Sequence, residues 1–465
     1  MPNYDLVIIG SGPGGYVTAI RAAEWGLKVA VVEKDGFLGG TCLHVGCIPT
    51  KVLLHTADVL DELNHASEFG IDVKDFKLNW PALLDRKNRI VNKHAKGIEF
   101  LFKKHKIETV TGWGRVAGLG RVSVEKDGKT TELTAKYIIL ATGSGARSLP
   151  GVTIDGKNIL SNIEILQLPK VPKSLIIVGA GAVGVEFASL FNAFGSEVTM
   201  LEMLPRIVPL EDEEISPVLQ KAFTKRGINI QTGAKVQTVT SDAKGATVAF
   251  TDSSGKAQKI TAEKILIAVG RAPKTENLGL EKTKVKIERG YINVGPYMET
   301  GESGLYAIGD IVAGMPQLAH AASWEGMSAV GKMSGHHVPP IERSHIPACT
   351  YCEPQIASVG LTEKAARDAG YKVKIGKFPF LGNSKSTILG QHDGFIKVVA
   401  DETYGEILGV HIIGPLATEI IAEAVTAIQM EATIDDMLAM VHAHPTVWEA
   451  MGDAFAGVRG WSINA

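Results

Sequence analysis

Cysteine is scarce in this sequence, with four in 465 residues. That count excludes a fold stapled by disulfides. Neither sign of charge dominates: 48 Lys and Arg face 50 Asp and Glu, a formal net charge of −2. The balance gives no global reason to expect nucleic acid or an anionic membrane as a partner. No apolar run reaches the ~20 residues that cross a bilayer. The longest candidate, Leu175 to Gly195, is broken by Glu186 and several glycines. The start, Met1-Pro2-Asn3-Tyr4-Asp5, lacks the basic stretch, apolar segment and cleavage site of a secretory signal, and it is not an Arg-rich transit peptide. A soluble, cytoplasmic protein is expected. Glycine is in excess, 51 residues against the ~7% usual for proteins. Without a collagen period, this implies tight turns or close backbone approaches to ligands. With 45% apolar and 21% charged residues the chain can bury a sizeable core. At ~150 residues per domain, about three domains are expected.

The chain contains an internal repeat. Leu6-Val7-Ile8-Ile9-Gly10-Ser11-Gly12-Pro13-Gly14-Gly15 returns as Leu175-Ile176-Ile177-Val178-Gly179-Ala180-Gly181-Ala182-Val183-Gly184, and the same offset carries Glu33 onto Glu202. Each copy reads as strand, glycine turn, helix and second strand ending in an acid, a βαβ unit. In Gly10-x-Gly12-x-x-Gly15 the first glycine permits the turn, the second admits a pyrophosphate, and the third lets helix and strand pack. The pyrophosphate lies on the helix N-terminus and the acid accepts from a ribose hydroxyl. Gly179, Gly181 and Gly184 with Glu202 repeat this logic. A carboxylate at Glu202, with Arg206 the nearest cation, favours NAD over NADP. Two such sites in one chain point to a flavin that exchanges electrons with a nicotinamide. Each copy precedes a further apolar strand ending in glycine, at Gly143 and Gly270. Pro150, Pro169 and Pro172 suggest a domain join. Residues 231–263 read as a β meander, and residues from about 343 onward as a separate α+β domain.

Cys42-Leu43-His44-Val45-Gly46-Cys47, between Gly39-Gly40-Thr41 and Ile48-Pro49-Thr50-Lys51, is the most specific segment. Cysteines five apart near a helix start can close a small disulfide ring, and a thiolate there gains from the helix N-terminus and Lys51. Two reduced core cysteines are the alternative; a flavin fingerprint upstream favours the redox pair, which then has an electron partner. In His442-Ala443-His444-Pro445-Thr446-Val447-Trp448-Glu449, a histidine suits proton transfer for thiol chemistry and Glu449 could orient its ring. Alternatives are a surface histidine or a two-histidine metal site. Cys349-x-x-Cys352 lacks a thioredoxin-like setting, which argues against a redox or metal role. The eight Lys and Arg between residues 86 and 106 read as a solvated helix face.

Taken with Gly309-Asp310, Leu318-Ala319-His320 and His411-Ile412-Ile413-Gly414-Pro415, these segments resemble the flavin disulfide reductases over essentially the whole chain, and specifically the branch that oxidises dihydrolipoamide. The resemblance implies an α/β fold of two Rossmann-like dinucleotide-binding domains plus a C-terminal α+β dimerisation domain. Its parts would be 1–145 for FAD, 146–270 for NAD, 271–342 completing the FAD site and 343–465 at the dimer interface. It implies Cys42 as interchange thiol, Cys47 as flavin-facing thiol, His444 as acid/base and Glu449 as its partner. FAD contacts are implied at Gly10, Gly12, Gly15, Glu33, Lys34, Gly40, Thr41, Lys51, Gly114, Thr142, Gly143, Asp310, Gln317, Leu318, Ala319 and His320. NAD contacts are implied at Gly179, Gly181, Ala182, Val183, Gly184, Glu186, Glu202, Val236 and Gly270. Glu186 with Lys51 also matches a pair near the flavin. No metal is expected. Implied partners are a second copy of the chain, lipoyl domains and the acyltransferase core of 2-oxoacid dehydrogenase complexes, with the glycine cleavage system as a further candidate. The same-class alternatives are glutathione or mercuric reductase types, and a non-catalytic flavoprotein subunit is the other. Glu202 opposes the glutathione type, and the tail Gly460–Ala465, which has no cysteine pair, opposes the mercuric type. His44 stands where the family usually has Asn, Cys352 where Thr is common, and Ala321-Ala322 where charges are more usual.

Overall fold

The computed structural model describes residues 3–464. Met1, Pro2 and Ala465, which bound the expected terminal segments, lie outside the described residues. The chain divides into two compact units. The first comprises the residues through Val52, Pro81–Arg147 and Arg271–Arg343. The second comprises Leu53–Trp80, Ser148–Gly270 and the residues from Ser344 onward.

The first unit is built on β1 (Asn3–Ile9), α1 (Pro13–Glu24) and β2 (Val29–Glu33). α2 (Gly40–Val45) and the start of α3 (Cys47–Asn64) follow, then most of α4 (Trp80–Lys104). β3 (Glu108–Thr111), β4 (Trp113–Gly118), β5 (Arg121–Lys126) and β6 (Lys129–Leu140) complete the order β3-β2-β1-β6-β5-β4. β3, β2, β1 and β6 run parallel, while β4 and β5 form an antiparallel hairpin beside the first half of β6. A seventh strand, Leu305–Ala307, pairs parallel with Ile138–Leu140 of β6. β2 is buried at every residue, as apolar parallel strands covered on both faces require. α1 packs under the Ala319–Ser334 helix.

The second unit repeats the plan. β7 (Ile159–Leu160), β8 (Ser174–Val178), α5 (Ala182–Ala193), β9 (Glu197–Leu201), α6 (Ile215–Lys225), β10 (Asn229–Gln231) and β14 (Lys264–Ile267) give a parallel sheet in the order β10-β9-β8-β14-β7. Between β10 and β14 lies the expected meander: β11 (Lys235–Asp242), β12 (Gly245–Thr251) and β13 (Ala257–Ala262). The C-terminal part holds an antiparallel sheet of β15 (Ala348–Thr350), β16 (Gln355–Gly360), β17 (Val373–Pro379), β18 (Phe395–Asp401) and β19 (Ile407–Gly414), ordered β15-β16-β19-β18-β17. α7 (Ala417–Gln429) packs on β16 and β19, and α8 (Glu449–Val458) on β17 and β18. The sheet is tied to the α6 region by buried Lys397, 2% exposed, whose Nζ reaches Asp212 (3.0 Å), Glu214 (2.6 Å) and Glu363 (2.8 Å). An ammonium taken so far out of water needs such a carboxylate cage. No helix among the described residues is long and apolar enough to cross a membrane. The basic α4 is not solvated throughout: Lys87 is buried, and that burial lowers its pKa.

Candidate active site

Both glycine turns have the same geometry. Gly10 (φ +109°) and Gly179 (φ +102°) adopt a backbone that L side chains avoid. A Cβ on Gly15 would stand 2.0 Å from Gly10 O, and one on Gly184 would stand 2.0 Å from Gly179 O. A Cβ on Gly12 or Gly181 meets nothing within 4 Å. These two residues are the N-caps of α1 and α5, and neither helix has a side-chain cap. The first-turn N–H groups of each helix therefore lack a side-chain acceptor, an arrangement that can receive an anion. Ala182 and Val183 form the first turn of α5.

The acids after each turn are held by backbone. Glu33 Oε2 accepts from Ser11 N (3.0 Å) and Ser11 Oγ (2.6 Å), and its Oε1 from Asp35 N (2.9 Å). Glu202 Oε2 accepts from Ala180 N (2.7 Å) and its Oε1 from Leu204 N (2.9 Å). Arg206 is spent locally: it donates to the carbonyls of Glu211 (2.9 Å) and Pro209 (2.8 Å) and to Ser216 Oγ. Glu186 Oε1 accepts from Tyr351 N (3.0 Å). Val236 packs against the core under β11 and β12. Gly270 has φ +105° and open space where a Cβ would sit.

Around the first turn, a Cβ on Gly40 would stand 2.6 Å from Gly12 Cα, so the start of α2 lies on the turn itself, Thr41 next in line. A Cβ on Gly114 would stand 2.9 Å from Val32 and 3.0 Å from Ile9. Lys34 is exposed and pairs with Asp35. Thr142 Oγ1 donates to Lys274 O (2.6 Å), and Gly143 has φ +67° with open space beside it. Asp310 accepts from Ser144 Oγ, which in turn accepts from Arg271 Nε (2.7 Å). Gln317 Nε2 donates to Asp310 O (3.2 Å). Leu318 caps the helix that begins Ala319-His320, again without a side-chain cap. Inside that helix, Glu325 Oε2 accepts from Gly309 N (2.5 Å), while its buried Oε1 has no hydrogen-bond partner among the described residues. Burial pushes the Glu325 carboxyl up to about 7; the Gly309 N–H opposes this and the Asp310 charge adds to it. Ser144, Arg271 and Glu325 escape sequence reasoning. Ser144 and Arg271 follow the two strand-terminal glycines, which is their only signal.

Cys42, in α2, and Cys47, the first residue of α3, form a disulfide with Cα atoms 4.7 Å apart. Lys51 lies one turn after Cys47 on α3. His44 is committed elsewhere: Nε2 donates to Leu38 O (2.7 Å) and the ring lies 4.2 Å from that of Phe37. In the second unit His444 Nδ1 donates to Glu449 Oε1 (2.8 Å), and Thr446 N donates to Glu449 Oε2 (2.8 Å). The His444 side chain is 72% exposed. Cys352 is buried and its thiol donates to Pro354 O (3.3 Å). Burial first, then the charges of Glu186 and Glu353, push this thiol well above its ordinary value, which opposes thiolate chemistry. Cys349 packs against the core of the C-terminal sheet.

Residues 4–326 match the family described as pyridine nucleotide-disulphide oxidoreductase, and residues 346–455 match the dimerisation domain of those enzymes. The chain belongs to the pyridine nucleotide-disulphide oxidoreductases. It is 44% identical to the dihydrolipoyl dehydrogenase of Bacillus subtilis over 99% of each chain, and 42% identical to that of Rhizobium etli over 100% of this chain and 99% of the other. Among solved structures it resembles LpdA of Mycobacterium tuberculosis, with a TM-score of 0.90, 26% identity, and 98% and 99% of the two chains covered. As a member of this family the chain is an oxidoreductase with FAD and NAD as cofactors, and its dimerisation domain makes it a homodimer.

Proposed function

We propose that this chain is a dihydrolipoyl dehydrogenase: it oxidises protein-bound dihydrolipoamide to lipoamide and passes the electrons to NAD⁺. The Cys42–Cys47 disulfide, bridging α2 and α3 beside the Gly12 turn, carries this reading.

In this proposal His444 Nε2 takes a proton from one substrate thiol, because thiolates rather than thiols attack disulfides. Glu449 holds the Nδ1 proton, so the ring keeps the tautomer that leaves Nε2 a lone pair. The substrate thiolate attacks Cys42 Sγ; the Cys42–Cys47 bond breaks and Cys47 leaves as thiolate. The second substrate sulfur attacks the substrate sulfur of the mixed disulfide and closes lipoamide; that S–Cys42 bond breaks, and the second thiol's proton passes to the departing Cys42 Sγ, so that Cys42 is released as thiol. Bound FAD supplies the two-electron path from the reduced cysteines to NAD⁺. The α1 turn, Glu33, Lys34, Gly40, Thr41, Lys51, Gly114, Thr142, Gly143, Asp310 and residues 317–320 would hold FAD. The α5 turn, Glu186, Glu202, Val236 and Gly270 would hold NAD. The four-segment domain division belongs to this proposal. So do a cytoplasmic location, lipoyl domains and the acyltransferase core of a 2-oxoacid dehydrogenase complex as partners, and a site shared between the Cys pair of one subunit and His444 of the other.

A panel of dihydrolipoamide, glutathione disulfide and mercuric ion, each with both nicotinamides, tests the reading. Turnover is expected with dihydrolipoamide and NAD⁺, and preferential turnover of either other substrate refutes it.

A further inference from the structure

Glu325 is a fully buried carboxyl that the proposed chemistry leaves unused. An acid is ordinarily buried beside a cation, yet Glu325 has no ion pair among the described residues. The Ala319–Ser334 helix lies against α1 on both sides of it in sequence. A Cβ on Gly14 would stand 3.1 Å from Ala322 Cβ, and one on Gly326 would overlap Thr18 Oγ1.

The carboxyl holds one backbone group. Its Oε2 accepts from Gly309 N at 2.5 Å. Gly309, at φ +75°, opens the turn Gly309–Ile311 that carries Asp310, just after the strand Leu305–Ala307. Before it, Ile308 N donates to Leu140 O (2.9 Å); after it, Val312 N donates to Gly309 O (2.9 Å). Glu325 supplies the acceptor for the N–H between them. Asp310 is tied on its far side as well. Its carboxylate accepts from Ser144 Oγ and its carbonyl from Gln317 Nε2 (3.2 Å).

We propose that Glu325 is a positioning residue for FAD, which acts through the Gly309 N–H to fix the turn that presents Asp310. The inference rests on Asp310 as an FAD contact and is independent of the thiol substrate. A buried N–H without an acceptor costs free energy, so without the Glu325 oxygen the Gly309 peptide turns toward another partner and carries Asp310 with it. A turn fixed beforehand lowers the ordering cost of binding the cofactor. The acid suits this place: it keeps its proton up to about 7, so below that pH it adds no second negative charge beside Asp310.

The test measures FAD affinity and the visible spectrum of bound flavin in the full-length dimer, stripped of flavin and reconstituted. It is run at about pH 6, where native Glu325 is protonated. The variants are Glu325→Gln, Glu325→Leu, Asp310→Ala, and Glu325→Leu with Asp310→Ala. Glu325→Gln keeps an oxygen for the Gly309 N–H and is expected to bind FAD with native affinity and spectrum. Glu325→Leu is close in size and has no acceptor, so it is expected to weaken FAD by ~10-fold and to shift the flavin bands. A residue that only fills space would be replaced as well by Leu as by Gln. Because Glu325 acts through the Asp310 turn, the double variant is expected to bind no more weakly than Asp310→Ala alone. Native affinity in Glu325→Leu overturns the proposal, as does a Glu325→Gln as weak as Glu325→Leu, or a double variant in which the two losses add. Should Glu325→Leu not fold, Glu325→Met takes its place with the same outcomes. Asp310→Ala separates the two readings. Native affinity there removes Asp310 as an FAD contact, whereas its weakening beside a native Glu325→Leu removes only the role of Glu325.

Discussion

Glu33 and Glu202 are held by equivalent pairs of backbone N–H groups. Each accepts from the residue after the first glycine of its turn, Ser11 or Ala180, and from the residue two places beyond itself, Asp35 or Leu204. At the end of β2 and directly after β9 there therefore stands a carboxylate whose direction is set before any ribose arrives, which lowers the ordering cost of binding. Ser11 Oγ gives Glu33 a further bond that Ala180 cannot offer Glu202.

Cofactor choice follows from Glu202 and Arg206. The carboxylate repels a 2′-phosphate, and the guanidinium that could attract one is bound to the Pro209 and Glu211 carbonyls. NAD⁺ is expected to exceed NADP⁺ by ~10²-fold in kcat/KM, about 3 kcal/mol. Glu202→Ala alone should weaken NAD⁺ without producing a good NADP⁺ enzyme. Steady-state kinetics with both nicotinamides decides this, and equal efficiency in the native enzyme refutes it.

The glycines of the first turn should separate folding from cofactor binding. Gly15→Ala puts a methyl 2.0 Å from a carbonyl oxygen and should cost ~3 kcal/mol or prevent folding. Gly12→Ala meets no protein atom, so the flavin-free protein should melt within about 1 kcal/mol of native while flavin retention drops more than ~10-fold. Native flavin content in Gly12→Ala would show that no phosphate passes over that residue.

The two cysteines should behave differently. Cys42→Ser should lose dihydrolipoamide turnover yet keep the long-wavelength absorption of a Cys47 thiolate beside the flavin. Cys47→Ser should lose both. Normal turnover in Cys42→Ser, measured alongside the visible spectrum, would remove its interchange role.

His444→Gln should slow dihydrolipoamide oxidation by ~10²-fold or more, the usual contribution of a positioned base. NADH reduction of the flavin needs no thiol deprotonation and should change little. His44 is tied to Leu38 and Phe37, so His44→Asn should be mild. Mixing Cys42→Ser and His444→Gln subunits should regenerate some native sites in heterodimers. No recovery despite proven subunit exchange rules out a shared site.

Glu325 makes stability depend on pH. Its folded pKa is raised from the ordinary 4.5 to about 7, so the folded state holds the proton more tightly than the unfolded chain. Its contribution is fully present below the unfolded value and is lost as pH rises through about 7, on the order of 3 kcal/mol. Glu325→Gln should therefore gain stability relative to native between pH 5 and pH 8. A difference in Tm between the two proteins that is equal at both pH values contradicts this.

Much of the fold is legible because βαβ units announce themselves locally. The repeat at Leu6 and Leu175 and the meander from Lys235 to Ala262 both emerge from patterning within a few residues. The Ser144–Arg271–Asp310 cluster does not, because its members lie far apart in sequence and meet through the short antiparallel pair 144–146 with 271–273. Periodicity is silent over three residues. Arg206 reads as an available cation until its carbonyl partners are seen, and Lys87 reads as solvated until its burial is known. The membership of Leu53–Trp80 in the second unit and of Arg271–Arg343 in the first is likewise a property of long-range pairing that composition does not carry.

The pairing of Leu305–Ala307 with β6 has a cost during synthesis. Ile138, Ile139 and Leu140 emerge from the ribosome with β1 available on one side. Their other edge stays open until the chain has grown past residue 307. At ~5–20 residues per second that interval lasts roughly ten to thirty seconds. An apolar strand edge exposed for so long is a template for wrong partners, so the nascent chain is most vulnerable to aggregation while the entire second dinucleotide fold is still being made.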